Sequence, residues 1–228
     1  MHSTTANLQV LFEDNHLIVV NKRPGDLVQG DQTGDAPLSD IIKAHLKVKY
    51  NKPGNVYLGV VHRLDRPTSG VLVFAKTSKA LSRLNRLFAE GQTQKTYWAV
   101  VQPNPPQNSG VLEHWLLRNP KQNKSYAHNK AVPGAKKALL AYTVHKQLDR
   151  YACLAIDLKT GRHHQIRAQL AAIGCHIKGD LKYGASRSNP DGSIHLHARQ
   201  LRLVHPIKKE AITFIAPPPE DNIWQACL

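Results

Sequence analysis

Short runs rich in β-branched and aromatic residues recur along the chain, and turn-forming residues separate them. Such runs predict β-strands, and two runs joined by a short turn predict an antiparallel hairpin. The first hairpin is expected from residues 8–12 and 17–20, on either side of the polar residues 13–16. Because most neighbouring runs can pair in this way and strands outnumber helices, the pattern predicts an α+β fold with a largely antiparallel sheet and flanking helices.

Fewer stretches repeat their apolar residues at intervals of three and four, which is the spacing of an amphipathic helix. Helices are predicted at residues 38–49, from a cap at Thr77 or Ser78 to Gly91, and over Ile166–Ile173 before Gly174. Further strands are predicted at residues 56–61, 71–75, 94–101, 111–117, 137–145, 151–158 and 211–216. The segments predicted to be loops are residues 26–37 and the basic stretch 119–125.

The net charge of the chain indicates which classes of molecule it binds. Among 228 residues, 31 are Lys or Arg and 16 are Asp or Glu, which gives a formal net charge of +15. That excess indicates a polyanionic partner, with nucleic acid as the first candidate and an anionic membrane surface as the second. The basic residues are spread along the chain, and no apolar run approaches the roughly 20 residues of a membrane span.

Cysteine usage and the N-terminal residues predict a cytoplasmic protein. Residues 1–5 show no basic region followed by an apolar core, so no secretory signal is expected. Cys153, Cys175 and Cys227 are far apart in sequence, which fits a reducing compartment and neither a disulfide framework nor a zinc motif. Each is expected to be a small buried hydrophobe.

The candidate chemistry lies in a polar segment between two of the predicted strands. Asp65 is flanked by Arg63 and Arg66, and Pro67 and Gly70 constrain the segment as a turn. A carboxylate between cations keeps its charge, and an ionised Asp can act as a nucleophile or a base. The same residues also suit a structural turn in which Asp65 caps a neighbour or pairs with an arginine, so loop chemistry alone leaves both interpretations open.

The segment His62-Arg63-Leu64-Asp65-Arg66-Pro67-Thr68-Ser69-Gly70 resembles the H-R-L-D-x-x-T-S-G motif of the RluA-type RNA pseudouridine synthases. The resemblance starts near the first residue, with the pattern D-x-H-L-x-V-V-N-K-x-x-G, and continues to about Pro217. It implies the pseudouridine synthase catalytic fold, a bent sheet with outer helices. It also implies that Asp65 is the catalytic residue and that no metal or organic cofactor is used.

Two further motifs follow in the family's order. Lys95-Thr96-Tyr97 resembles the family's K-x-Y, whose Tyr packs against the target base, although a lone Tyr is more often a core residue. Residues 160–167 resemble T-G-R-x-H-Q-I-R, whose last Arg pairs with the catalytic Asp, which implies that role for Arg167. This chain has Gln169 where relatives commonly have His.

Residues 174–184 resemble G-x-P-I-x-G-D-x-x-Y-G, with His176 replacing Pro, and are expected to form a structural loop.

Basic residues near these motifs are candidates to bind RNA. Arg162, His163 and Arg167 crowd the start of a predicted helix, where unpaired N–H groups and cations attract an anion such as an RNA phosphate or Asp65. Arg63 is the candidate either to fill the space left by a displaced uridine or to contact a phosphate, and Arg66 is a further RNA-binding candidate. The four histidines at positions 163, 164, 195 and 197 lack metal-ligand spacing, so no metal is predicted.

The resemblance implies that the chain isomerises uridine to pseudouridine in a structured ribosomal or transfer RNA. Residues 1–228 are expected to form a single catalytic domain without the S4-like RNA-binding domain that many relatives carry in front. RNA is then the expected partner, with no membrane and no obligate protein partner. Two other classes stay open: a non-catalytic RNA-binding or assembly protein on the same fold, and a glycosylase or nuclease acting in a basic cleft.

Overall fold

The computed structural model describes residues 2–30 and 34–228. The predicted loop at 26–37 therefore falls partly outside the described residues, at positions 31–33, as does Met1. The chain divides into two compact units, one formed by the residues up to Thr93 with Ala198–Pro219 and the other by Gln94–His197 with Glu220–Leu228. The expectation of a single catalytic domain stays a prediction.

The strands are β1 Val10–Glu13, β2 Leu17–Lys22, β3 Gly59–Val60, β4 Ser69–Ala75, β5 Gln94–Gln102, β6 Ser109–Asn119, β7 Lys124–His128, β8 Lys136–Gln147, β9 Ala152–Leu158, β10 His176–Ile177, β11 Leu196–Val204 and β12 Ala211–Ile215. The helices are α1 Leu38–Lys49, α2 Ser78–Ala89, α3 Gln165–Ala172 and α4 Asn222–Cys227, with a short 3₁₀ turn at Leu181–Tyr183. The structure confirms the predicted first hairpin and the predicted bounds of α1.

The first unit is built on β2 and β4, which pair antiparallel from Leu17↔Ala75 to Lys22↔Gly70. β1 extends this sheet beyond β2, and β11 and then β12 extend it beyond β4. Alternate residues of these strands, such as Val19, Val73 and Leu203, pack with Leu84 of α2 in one apolar core. Thr77 caps α2 through its side chain, as predicted, by accepting a hydrogen bond from the backbone of Ala80.

The second unit is an antiparallel sheet in the order β5-β9-β8-β6-β7, with β10 paired to β5. One core cluster combines Trp98 of β5 and Cys153 of β9 with Trp224 and Cys227 of α4. The three cysteines are buried and free, which confirms their prediction as small core residues. The largely antiparallel α+β architecture is likewise confirmed.

Three predicted elements differ in the structure. The strand expected at 56–61 is reduced to β3, because β2 and β11 flank β4 and leave only its Phe74–Ala75 end for β3 to pair with. The exposed loop expected at 119–125 is shorter, since β7 begins at Lys124 and Ser125 is buried. The tail beyond Pro219 forms α4, which Asp221 caps by accepting from two backbone N–H groups.

Over the described ranges 2–30 and 34–228, no helix is long and apolar enough to cross a membrane.

Candidate active site

The segment that carries Asp65 is held as a turn by its backbone. The N–H of Thr68 donates to the carbonyl of Asp65 at 3.0 Å, which closes a turn around Arg66 and Pro67. Gly70 then enters β4 with a φ of 118°, and a Cβ at this position would lie 2.3 Å from the carbonyl oxygen of Ala198. Only glycine fits both the conformation and the close approach, so the turn meets β4 in one fixed way.

Lys22 holds the same turn from the protein interior. Its ammonium group donates to three carbonyl oxygens, those of Arg23 at 3.0 Å, Arg66 at 3.0 Å and Thr68 at 2.8 Å. The residue is only 1% exposed, and this burial lowers its pKa from 10.5 to about 7, while the charges of Asp26 and Asp65 oppose that decrease. Lys22 therefore links the Asp65 turn to the end of β2 and, when protonated, places a positive charge near Asp65.

The side chains around Asp65 have different surroundings. Arg63 is exposed, and Asp65 is half-buried. Arg66 donates from Nε to the carbonyl of Gly25 at 3.1 Å and from Nη2 to Asp35 at 2.6 Å, in an exposed ion pair. His62 accepts the N–H of Val73 at 3.2 Å and stacks on Phe88 with ring centroids 4.7 Å apart, which gives it a structural role.

In the second unit, Tyr97 lies on β5 opposite Ile156 of β9 and is 9% exposed. Lys95 is two residues earlier and therefore on the same face of the strand. Burial lowers the pKa of Lys95, and the nearby charge of Asp157 partly offsets that effect. A desolvated lysine beside Tyr97 was not singled out by the sequence pattern, although the K-x-Y motif contains it.

Arg167 is fixed by a buried bidentate ion pair. Its Nε donates to Oδ2 of Asp180 at 2.7 Å, and its Nη2 donates to Oδ1 at 2.8 Å. Both side chains are almost fully buried, at 6% and 1% exposed. The guanidinium carbon also lies 5.0 Å from the ring centroid of Tyr183, a cation–π distance. One edge of the guanidinium is thus held by a carboxylate whose role the sequence pattern had not identified.

The start of α3 is organised by side chains of the protein itself. Gln165 accepts the backbone N–H of Arg162 at 3.0 Å and the hydroxyl of Thr160 at 2.8 Å, so one N–H group counted toward the predicted anion site is already bonded. Arg162 is exposed and donates from Nε to the carbonyl of Lys137 at 3.0 Å. These contacts fix the segment just before α3, whereas His164 at the N-cap of the helix makes no side-chain capping hydrogen bond.

His163 and His164 stack on one another with ring centroids 3.8 Å apart. His163 contacts Asn123 Oδ1 through Nε2 and Ser125 Oγ through Nδ1. Because the amide oxygen of Asn123 is an acceptor, His163 donates from Nε2 and carries a proton there. His164 adopts a left-handed φ of 52° and contacts the hydroxyl of Tyr183 at 3.0 Å. The histidine pair thus joins the β6–β7 turn to the segment that carries Asp180.

The predicted site residues fall into two groups. In the first unit, Asp65, Arg63 and Arg66 share one turn. In the second unit, Arg162, His163 and Arg167 lie at the start of α3, and Tyr97 lies on β5. In the part of the chain that the structure describes, no group of three or more His, Cys, Asp or Glu side chains could hold a metal ion.

Residues 16–172 match the family described as RNA pseudouridylate synthase. The chain is 33% identical over 216 residues to an uncharacterised RNA pseudouridine synthase of Synechocystis, covering 93% of this chain and 66% of that protein. It is 33% identical over 225 residues to ribosomal large subunit pseudouridine synthase D of Zymomonas mobilis, covering 94% of this chain and 70% of that protein. Its fold is similar to that of human RNA pseudouridylate synthase domain containing 4, with a TM-score of 0.78 and 24% identity. This similarity covers 96% of this chain and 91% of the human chain.

Proposed function

The chain belongs to the RNA pseudouridylate synthase family, as its H-R-L-D motif indicated, and from this premise we propose that it modifies uridine in large-subunit ribosomal RNA. Enzymes of this family isomerise uridine to pseudouridine in RNA. Relatives from Zymomonas mobilis and Haemophilus influenzae are named for the ribosomal large subunit, which supports that RNA as the substrate ahead of transfer RNA. The site of action is then the cytoplasm.

The observation that carries the proposal is Asp65, a carboxylate on a turn fixed by Lys22 and Gly70. In the reaction the bond between ribose C1′ and uracil N1 breaks, the base turns, and C1′ bonds to C5, which loses its proton while N1 gains one. No atom or electron is gained overall, so the proposal includes no cofactor. Asp65 is the catalytic residue, and attack on the ribose, attack on the uracil and removal of a ribose proton are its three possible roles.

Arg167 is proposed to pair with Asp65 and to keep it ionised and oriented. Asp180 occupies Nε and Nη2 of the guanidinium, so this pairing uses the opposite edge of the planar group. A guanidinium held in this way loses little further side-chain entropy on forming a second set of hydrogen bonds. The Asp180 pair therefore supports a positioning role for Arg167.

A uridine in a folded stem must leave its stack to reach Asp65, at a cost of a few kcal/mol. Tyr97 is proposed to stack on the displaced base, which contributes roughly 1–3 kcal/mol. Arg63, exposed beside Asp65, is proposed to fill the vacated space. Arg66, Arg162 and His163 are proposed to contact the RNA backbone, and no obligate protein partner is included.

The test is tritium release from RNA labelled at uracil C5, because bonding C5 to the sugar must expel that hydrogen. Large-subunit ribosomal RNA, small-subunit ribosomal RNA and transfer RNA are offered separately. Release from the large-subunit RNA alone is expected. Release only from transfer RNA would overturn the substrate assignment, and tight binding without release from any RNA would indicate a non-catalytic RNA-binding protein. Appearance of free uracil would instead indicate a glycosylase.

A further inference from the structure

A basic cleft of about 420 Å³ lies in the second unit, apart from the residues assigned above. Its lining consists of Gln102, Tyr151, His176, Lys178, Gly179, and residues 184–188 with the sequence Gly-Ala-Ser-Arg-Ser. Within the described ranges no carboxylate lines this cleft, and His176, Lys178 and Arg187 form no ion pair. The lining therefore combines cations with hydroxyl groups, which is the chemistry that recognises a phosphate.

Lys178 is held in place by its neighbours. Its backbone N–H donates to Val100 at 2.9 Å, and its carbonyl accepts from His195 at 2.9 Å. Its ammonium group donates to Oδ1 of Asn189 at 2.5 Å, and buried Asn189 contacts Ser193 and His195 in turn. A lysine fixed in this way loses less side-chain entropy on meeting an anion than a freely rotating surface lysine does.

Two glycines in the lining of the cleft lie very close to neighbouring residues. Gly184 has a φ of 98°, and a Cβ there would lie 2.7 Å from the ring of His176. Gly179 has a φ of 88°, and a Cβ there would lie 2.7 Å from the carbonyl oxygen of Ser193 and 2.8 Å from Nδ2 of Asn189. Because side chains at these positions would displace His176 or Asn189, the arrangement around the cleft depends on both glycines.

The cleft is coupled to the segment that fixes Arg167. The ring of Tyr183 lies against Arg167, while the carbonyl of the same residue accepts the Nδ1–H of His176 at 2.7 Å. Residues 180–188 thus hold Arg167 through Asp180 and Tyr183 and then continue as the wall of the cleft. An RNA chain that reaches Arg167 would therefore pass close to the cleft with its flanking nucleotides.

We propose that this cleft binds a backbone phosphate of the substrate RNA, at a nucleotide outside the one that is isomerised. Lys178 and Arg187 supply the charge, and Ser186 and Ser188 supply hydroxyl donors. The proposal rests on the proposed function for the identity of the polyanion. The contact contributes to RNA affinity and to the position of the protein along the RNA, since phosphate contacts position a protein on nucleic acid without reading its sequence.

The test compares Arg187→Ala with Arg202→Ala, a matched control that removes the same charge from an exposed position on β11. Arg187 is exposed in a loop, so its removal should leave the fold intact. Affinity for transcribed large-subunit ribosomal RNA is measured by filter binding between about 50 and 200 mM salt. We expect Arg187→Ala to lower the affinity roughly 5- to 10-fold. The slope of log K against log salt should become less steep by the amount that corresponds to about one phosphate contact.

Equal slopes for the two variants would overturn the proposal. Titration with inorganic phosphate forms the second arm: binding of free phosphate that Arg187→Ala abolishes, with no change in the RNA salt slope, would assign the cleft to a small anion. Because these binding measurements do not require tritium release, they test the phosphate contact separately from the proposed isomerisation.

Discussion

Asp65 and Arg167, one in each unit, are positioned in different ways. The turn that carries Asp65 is fixed through main-chain atoms: Lys22 binds three carbonyl oxygens, and Gly70 permits a close approach to Ala198. Arg167 is fixed through its own side chain, by the bidentate contact with Asp180. The comparison shows that a turn can be positioned through its main-chain atoms, whereas a long flexible side chain is positioned by a partner at its charged end.

The first prediction concerns the buried ion pair. Asp180→Asn should destabilise the protein by roughly 3–5 kcal/mol, because it leaves the guanidinium of Arg167 buried without its carboxylate. Activity should decrease about 100-fold in the fraction that remains folded, since loss of side-chain placement by about 1 Å can have that effect. Chemical denaturation and the tritium-release rate measure the two effects.

The double variant Arg167→Met with Asp180→Leu serves as the control, because it removes the charge and its partner together. It should recover much of the stability lost in Asp180→Asn and none of the activity. Recovery of activity in the double variant would show that Arg167 has no part in the reaction.

Lys22→Met tests positioning through the backbone. The change leaves three carbonyl oxygens without their ammonium donor, and each unsatisfied buried group typically costs about 1–3 kcal/mol. Turnover should decrease more than RNA affinity, because the turn that carries Asp65 loses its support while the side chains of Arg63 and Arg66 are kept. Lys43→Met, at an exposed lysine paired with Asp40, should change neither property. Wild-type turnover in Lys22→Met would mean that the turn does not depend on this lysine.

The same lysine predicts a dependence of stability on pH. Burial lowers its pKa in the folded state to about 7, against 10.5 for an ordinary lysine. Between these values the unfolded chain binds more protons at this position than the folded chain, so Lys22 should make the free energy of unfolding increase as pH rises from 7. Below pH 7 this contribution should be constant. The increase should be absent in Lys22→Met, and identical pH profiles for the two proteins would contradict the burial of a titrating ammonium.

The smallest effect is expected at the exposed pair between Arg66 and Asp35. Both side chains are about half exposed, so solvent screens their attraction. Asp35→Asn should change the free energy of unfolding by less than about 1 kcal/mol and leave turnover unchanged. A large loss of stability, measured by chemical denaturation, would show that this ion pair contributes to holding the turn from outside.

The sequence predicted the elements whose own residues determine them. The helix α1 repeats its apolar residues at helical intervals, and its bounds were predicted at Leu38 and Lys49. The strand predicted at 56–61 was wrong beyond β3, because its extent depends on which neighbours occupy the edges of β4. α4 has only six residues, too few for periodicity to show.

The candidate site shows the same contrast between features that the local sequence determines and features that depend on the folded chain. Motif resemblance singled out Asp65, Tyr97 and Arg167 as candidates, and their catalytic roles stay predictions. The sequence does not indicate the importance of Lys22 and Asp180, although both lie within the motifs that resemble the family. Lys22 precedes the turn it supports by more than forty residues, and Asp180 is thirteen residues from Arg167, so only the folded chain shows these contacts. The motif at residues 174–184 predicts only a structural loop around Asp180.

The most direct measurement compares Asp65→Asn with Asp35→Asn, two changes that each remove one carboxylate from the first unit. Both variants are incubated with large-subunit ribosomal RNA labelled with tritium at uracil C5, and RNA affinity is measured in parallel. Asp65→Asn should release no tritium and bind the RNA within about a factor of three of the wild type, a difference under 1 kcal/mol. Asp35→Asn should be fully active. Tritium release by Asp65→Asn at the wild-type rate would contradict the assignment of Asp65 as the catalytic residue.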